Sequence, residues 1–272
     1  QTLTAHAGPV FLTYKDVSAV NNMVDGVQKN EPLYDFTAPD GVQHTVWSIE
    51  DAAPYQRELE AVESFYVADG HHRSASAWRA GAERRAANSN HTGDEEYNWF
   101  LTVLFPARQL NILSYNRIIK DLNGHTVDDV INALAKTGQF EPTNDPVPES
   151  AGSFCIYLEN SWYRLTIPPD SINHDDPIAS LDVAILEQRV LEPIFGIGDV
   201  RTDSRIDFVG GIRGTDELKK RVDSGDWACA VSMFPTSIAQ LMSVSDAGEI
   251  MPPKSTWFEP KLRSGLLVHS LD

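Results

Sequence analysis

The chain has 272 residues, 42% of them hydrophobic and 22% charged, enough apolar material for a sizeable folded core and too much for a disordered chain. Its net charge of -17 argues against wholesale binding to DNA or RNA, because phosphate backbones are met by basic faces. No apolar run approaches the roughly 20 residues that a membrane span needs, and nothing in the sequence fixes an oligomeric state.

GPVFLTY, Gly8 to Tyr14, is a run of strand formers, and VSAVNNMVDGVQ places Val17, Val20 and Val24 on one face of a helix. TAPDGVQHTVWSIED has the pattern of a hairpin turning at Pro39-Asp40-Gly41. Val42, His44 and Val46 alternate there with Gln43, Thr45 and Trp47, so His44 is expected at a core or an edge. PYQRELEAVES predicts a helix and SFYVAD a buried strand; SASAWRAGAERRAAN predicts a helix with Ala75, Trp78 and Ala82 toward the core. Two strands follow, YNWFLTVLF and LNILSYNRIIK, joined across Pro106 to Gln109. A domain boundary is placed at Leu122, giving domains 1–122 and 123–272.

Beyond it, Thr126 is the expected N-cap of VDDVINALAKTG, and SFCIYLENSWYRLTI is a hairpin turning at Glu159-Asn160. ASLDVAILEQRVLEPIF predicts a helix with Pro193 late in it, and RIDFVGG a strand. TDELKKRVDSG predicts a helix capped by Thr215, WACAVSMF a buried strand, SIAQLMSVSDAGE a helix and GLLVHSL a final strand. The fold class is therefore α+β, a mixed α/β chain. Cys155 and Cys229 lie in apolar runs without zinc-like spacing and are expected as buried free thiols. The opening QTLTAHAGPVF carries no basic leader region and no initiator Met, which sets cytoplasm as the expectation, with an N-terminal portion upstream.

The chemistry concentrates in SFYVADGHHRSASAWRAGAERR, Ser64 to Arg85. A strand ends in Asp69-Gly70, and His71, His72 and Arg73 follow where a helix begins. Three such neighbours repel one another unless an anion joins them. A helix N-terminus offers unpaired N–H groups and partial positive charge, which suits that anion. Gly70 permits close backbone approach, and Arg73 can grip a phosphate with two parallel donors. His71 and His72 add ring donors, and Ser74 and Ser76 hydroxyls. Two other readings stay open: Asp69 as a plain helix cap, and a metal site, for which adjacent histidines rarely chelate one ion.

FYVADGHHRSASAW, DSRIDFVGG and MPPKSTWFEPKLRSGLLVH together resemble the bacterial and archaeal family called domain of unknown function 1015, sometimes labelled SpoOJ/ParA/ParB/RepB-like. The strand-DGHHR-helix unit is more distantly similar to the superfamily of ParB partition proteins, sulfiredoxin and free serine kinases. The resemblance implies a ParB/sulfiredoxin-like nucleotide-binding domain followed by a second mixed-sheet α/β domain. It implies Gly70, His71, His72, Arg73 and Ser74 around the phosphates of ATP, ADP or CTP with Mg²⁺, and Asp69 and His72 as catalytic groups. The reaction implied is phosphoryl transfer to a small hydroxylated metabolite; a non-catalytic nucleotide-sensing module is the alternative. The serine kinases pair the motif Asp with an upstream Glu, but Glu58, Glu60 and Glu63 lie in no alignable motif, so no second carboxylate is assigned. His stands where sulfiredoxin has its reactive Cys, and no basic helix-turn-helix supports a partition role.

Two other stretches carry weaker signals. In IDFVGGIRGTDELKKRV, Gly210, Gly211 and Gly214 precede a helix but lack the G-x-x-x-x-G-K-[ST] pattern, and Asp216 and Glu217 oppose an anion, so tight turns are expected. In MPPKSTWFEPK, two prolines stiffen a loop expected to project Lys254, Ser255 and Thr256, with Lys254 as an accessory cation for the nucleotide. Asp203, Arg205 and Asp207 read as an ion-pair set. His6, His91, His125, His174 and His269 form no evident constellation, and no metal ligand is assigned.

Overall fold

A computed structural model describes residues 2–259 and 261–272. The mixed α/β chain divides into two compact units, Gln1–Leu110 with Pro260–Asp272, and Asn111–Glu259. The sequence reading divides the chain at Leu122 instead. The difference arises because the strand Tyr115–Ile119 pairs on both edges within the sheet of the second unit.

The first unit contains β1 (Ala5–His6), β2 (Val10–Tyr14), α1 (Ser18–Val27), β3 (Tyr34–Thr37), β4 (Gln43–Val46), α2 (Ala53–Glu60), β5 (Tyr66–Asp69), α3 (His71–Ala87) and β6 (Thr102–Pro106). β2 is the middle of a three-stranded sheet, antiparallel to β5 and parallel to β6. That central place explains why Val10, Phe11, Thr13 and Tyr14 are all buried. The buried Thr13 hydroxyl is satisfied by donating to the Phe105 carbonyl at 2.9 Å. β5 buries Tyr66 and Ala68 while Val67 and Asp69 are half-buried, so this strand is covered more on one face than SFYVAD suggests. The β3–β4 hairpin turns at Gly41, which adopts φ +81°, and His44 stacks on Phe36 and accepts a hydrogen bond from Arg263 Nε at 2.9 Å. The terminal stretch GLLVHSL is strand over His269–Ser270, paired with β1.

On α3 the buried face is Ala77, Ala80 and Gly81, and Ala75, Trp78 and Ala82 face outward, Trp78 being 74% exposed. This corrects the expected face. The close contact explains it: a Cβ on Gly81 would stand 2.6 Å from the Tyr97 carbonyl oxygen. Only small residues fit that approach, so the indole is left outside.

The second unit contains β7 (Asn111–Leu113), β8 (Tyr115–Ile119), α4 (Val127–Thr137), β9 (Gln139–Pro142), β10 (Ser153–Leu158), β11 (Ser161–Thr166), α5 (Asp182–Leu186), α6 (Glu192–Phe195), β12 (Ile206–Gly210), α7 (Gly214–Asp223), β13 (Cys229–Met233), α8 (Ile238–Asp246) and β14 (Trp257–Glu259). Six strands form an antiparallel sheet in the order β12-β8-β13-β10-β11-β9. β10 is buried along its whole length, and its hairpin to β11 turns through Glu159 and Asn160, both with positive φ as a tight two-residue turn requires. Thr126 caps α4 in a reciprocal box with Asp129. Thr215 does not cap α7, which already begins at Gly214 and has no side-chain cap. Between α5 and α6 the long helix passes through a π segment, Glu187–Leu191. Cys155 and Cys229 are free and buried, and burial pushes the Cys229 thiol up to about 12, leaving it unreactive. Among the described residues no helix is long and apolar enough to cross a membrane.

Candidate functional site

One residue separates β5 from α3. Gly70 is the N-cap of α3 at φ +95°, a left-handed conformation that strains any L side chain. A Cβ there would also lie 2.9 Å from Arg73 Nη2, so glycine keeps the space before the guanidinium open. The first helical turn closes when Ser74 N–H donates to the Gly70 carbonyl at 2.9 Å. The N–H groups of His71, His72 and Arg73 have no partner among the described residues.

Asp69 is close but does not plug this mouth. Its Oδ1 accepts the Gly70 N–H at 2.7 Å, and its Oδ2 stands 3.9 Å from Arg73 Nη2. The plain-cap reading thus accounts for one backbone donor and leaves three. Arg73 is tethered by Nε, which donates to the Pro9 carbonyl at 2.9 Å. The Arg73 and Asp69 side chains are 42% and 44% exposed, so their pairing is weak and easily exchanged for an anionic ligand. His71 and His72 are exposed. Among the described residues no group of three or more His, Cys, Asp or Glu could hold a metal ion.

Helical spacing sets His71, Ser74, Trp78, Gly81 and Arg85 on one face of α3. That face borders a groove of about 270 Å³ whose aromatic walls are Trp78, Trp99 and Phe100. The segment leading to Trp99 is held by a cage of hydrogen bonds. Glu95 accepts from the backbone N–H of Thr92 at 2.7 Å and Gly93 at 3.0 Å, and such bonds, Thr92 foremost, hold its carboxyl down at about 2. Tyr97 Oη accepts from Asn88 Nδ2 at 3.0 Å, and Arg85 Nη2 donates to Asn98 Oδ1 at 3.0 Å, tying the segment to the helix. The groove is therefore preorganised.

A smaller cavity of about 200 Å³ lies on the other flank of α3, lined by His6, Gly8, Arg73 and Ser76. The His6 and His269 rings approach to 5.6 Å across the β1 pairing, and burial, then the His269 charge, lowers the His6 pKa. This histidine pair was not legible beforehand, because its members stand at opposite ends of the chain.

The remaining candidates belong to the second unit. Lys254 Nζ lies over the Tyr115 ring at 5.3 Å and the Phe208 ring at 5.8 Å. Ser255 is buried and donates to the Pro252 carbonyl at 2.6 Å, so the MPPKST loop is tied internally rather than projected. A Cβ on Gly210 would fall 2.5 Å from the Trp257 ring, and one on Gly211 2.7 Å from the Ser114 carbonyl; those glycines serve close packing. Arg205 pairs with Asp203 at 2.7 Å, whereas Asp207 turns to Arg221 at 3.9 Å, splitting the expected set. Arg117, which no pattern singled out, is fully buried; desolvation lowers it to about 10, still protonated, beneath Phe208 at 5.0 Å.

No curated protein matches the sequence. Similar solved structures include a mutant free serine kinase in complex with AMP, at 12% identity and TM-score 0.40, with 93% of this chain and 88% of that chain covered. A conserved hypothetical protein from Pyrococcus furiosus gives 12% identity, TM-score 0.40 and coverage of 93% and 90%. At such values the likeness carries no argument, and the functional reading rests on the site itself. The profile of the family described as protein of unknown function (DUF1015) matches residues 1–184, more than half of the sequence, and the chain belongs to that family.

Proposed function

We propose that the mouth of α3 binds the phosphates of a nucleotide and that the groove on the same helix face receives its base. The observation that carries this reading is the set of three unpartnered N–H groups at His71, His72 and Arg73 behind a left-handed Gly70. With the helix dipole and the Arg73 fork they form a concentrated anion site. Ser74 adds a hydroxyl on the path to Trp78. From His71 to Trp78 the helix advances about 10 Å, the reach of a nucleotide from phosphates to base, and the Trp78, Trp99 and Phe100 rings offer stacking faces. ATP, ADP and CTP are the candidate ligands.

As an enzyme, the protein would transfer a phosphoryl group to a small hydroxylated metabolite. Asp69 orients the acceptor hydroxyl and His72 holds the transferring oxygens, positioning and charge stabilisation being the main demands of such chemistry. Asp69 also fits a Mg²⁺ ion held mainly by phosphate oxygens and water, which would neutralise phosphate charge when bound. Lys254 belongs to the second unit, where its ammonium lies over the Tyr115 and Phe208 rings. A second reading, a nucleotide-sensing module without turnover, is favoured by the engagement of Asp69 Oδ1 with Gly70 N–H. Calorimetry with ATP, ADP and CTP tests the common part: Arg73→Ala weakens binding, and unchanged affinity overturns it. Nucleotide conversion with Mg²⁺ and pooled hydroxylated metabolites then separates enzyme from sensor.

A further inference from the structure

The second unit holds a cavity of about 420 Å³ that the proposed nucleotide site does not use. Asp182, the first residue of α5, is on its wall and only 7% exposed. Its Oδ1 accepts the Gly152 N–H at 2.8 Å, while its Oδ2 is buried and has no partner. An unmet buried carboxylate oxygen is costly, and interiors rarely leave one without a donor. Burial pushes this carboxyl up to about 6, so it remains mostly ionised at neutral pH.

The rest of the wall defines the missing donor. No Lys or Arg lines the cavity; the His174 imidazole and a second carboxylate, Asp175, line it from exposed positions, and neither bonds Asp182 Oδ2. Ser180, Ser243 and Gln240 supply hydroxyl and amide groups. Gln240 Oε1 is engaged by the Ser237 N–H, which leaves its NH₂ group for a guest. A bare divalent ion does not suit the wall: hard cations want six or more oxygen ligands, and no cluster of three ligating side chains stands among the described residues. One water takes about 30 Å³, a small part of this space, whose size is that of a small-molecule site.

We propose that this cavity binds a small metabolite bearing a primary ammonium group, with the ammonium on Asp182 and the polar tail beside Ser243 and Gln240. The ammonium gives Oδ2 its donor and the two carboxylates their countercharge.

Amide NMR on the full chain tests the site, with the Gly152 resonance as reporter because its N–H rests on Asp182. Ethanolamine and putrescine are the probes, and uncharged ethylene glycol the control. The expected result is a saturable Gly152 shift with an amine in the millimolar range or below, and none with the glycol. Asp182→Asn keeps the shape and the Gly152 acceptor and should weaken amine binding at least tenfold. Asp175→Asn, at an exposed position, should weaken it a few-fold with the fold intact. Absence of a saturable shift with both amines, an equal response to the glycol, or undiminished binding by Asp182→Asn overturns the proposal. If Asp182→Asn does not fold, unchanged amine affinity in Asp175→Asn does so.

Discussion

Two of the described junctions run from a strand through glycine into a helix and do opposite things. At β5–Gly70–α3 the glycine is required by its left-handed backbone, and the first turn carries His71, His72 and Arg73 with no acidic residue. At β12–Gly210–Gly211–α7 the Gly210 backbone is ordinary, φ -59°, and glycine is needed for room against Trp257. Gly211 N–H is already taken by the Ser114 carbonyl at 2.7 Å, and Asp216 and Glu217 fill the first turn of α7. Similar sequence grammar therefore yields one open junction and one closed one. What distinguishes them is negative charge in the first turn: the second helix carries its own, and the first carries none.

The largest expected effect breaks the open junction. Arg73→Ala removes a charge-assisted donor pair of about 1.5–3 kcal/mol, so nucleotide affinity measured by calorimetry should fall roughly 10- to 100-fold. Arg213→Ala, at the N-cap of α7, should leave affinity unchanged. Equal losses in the two variants would erase the contrast between the junctions.

The next effect belongs to the closed junction. Gly210→Ala drives a methyl into the Trp257 ring and should destabilise the protein by about 1–3 kcal/mol in urea unfolding, as overpacking does. Nucleotide affinity should not change. A neutral Gly210→Ala would show that the glycine is not there for packing.

These contrasts also mark how much of the molecule was legible in sequence. Local punctuation was: Thr126 and Asp129 build their own capping box, and Glu159-Asn160 turns its own hairpin, because all the interacting atoms lie within a few residues. The DGHHR junction was legible for the same reason. The face of α3 was not, since helical spacing suggested Ala75, Trp78 and Ala82 inside while the carbonyl of Tyr97, brought in by a separate segment, admits only Gly81 and alanines. The His6–His269 approach and the orphan oxygen of Asp182 likewise depend on partners distant in sequence. Arg117 lies in the predicted strand LNILSYNRIIK with no local pattern to mark it; its burial depends on the packing of β8 between β12 and β13.

A smaller effect sharpens the open junction. Trp78→Ala removes one wall of the groove and should weaken nucleotide binding by about 0.5–1.5 kcal/mol while leaving pyrophosphate binding as it was. Because Trp78 is 74% exposed, stability should move by no more than about 0.5 kcal/mol. A parallel loss for pyrophosphate would remove the base from the groove while sparing the phosphate site.

The smallest effect concerns how the closed junction ends. Thr215 has the chemistry of an N-cap, but α7 starts one residue earlier, at Gly214, whose φ of +72° bends the chain into the helix without a side-chain acceptor. Thr215→Ala should therefore change unfolding free energy by no more than about 0.5 kcal/mol. Thr126→Ala, which removes an acceptor from Asp129 N–H and breaks a reciprocal box, should cost about 1 kcal/mol. The difference between the two threonines measures what a cap is worth in this fold. If Thr215→Ala proved as costly as Thr126→Ala, the hydroxyl would be closing the first turn of α7 after all, and the glycine would not be what shapes that junction.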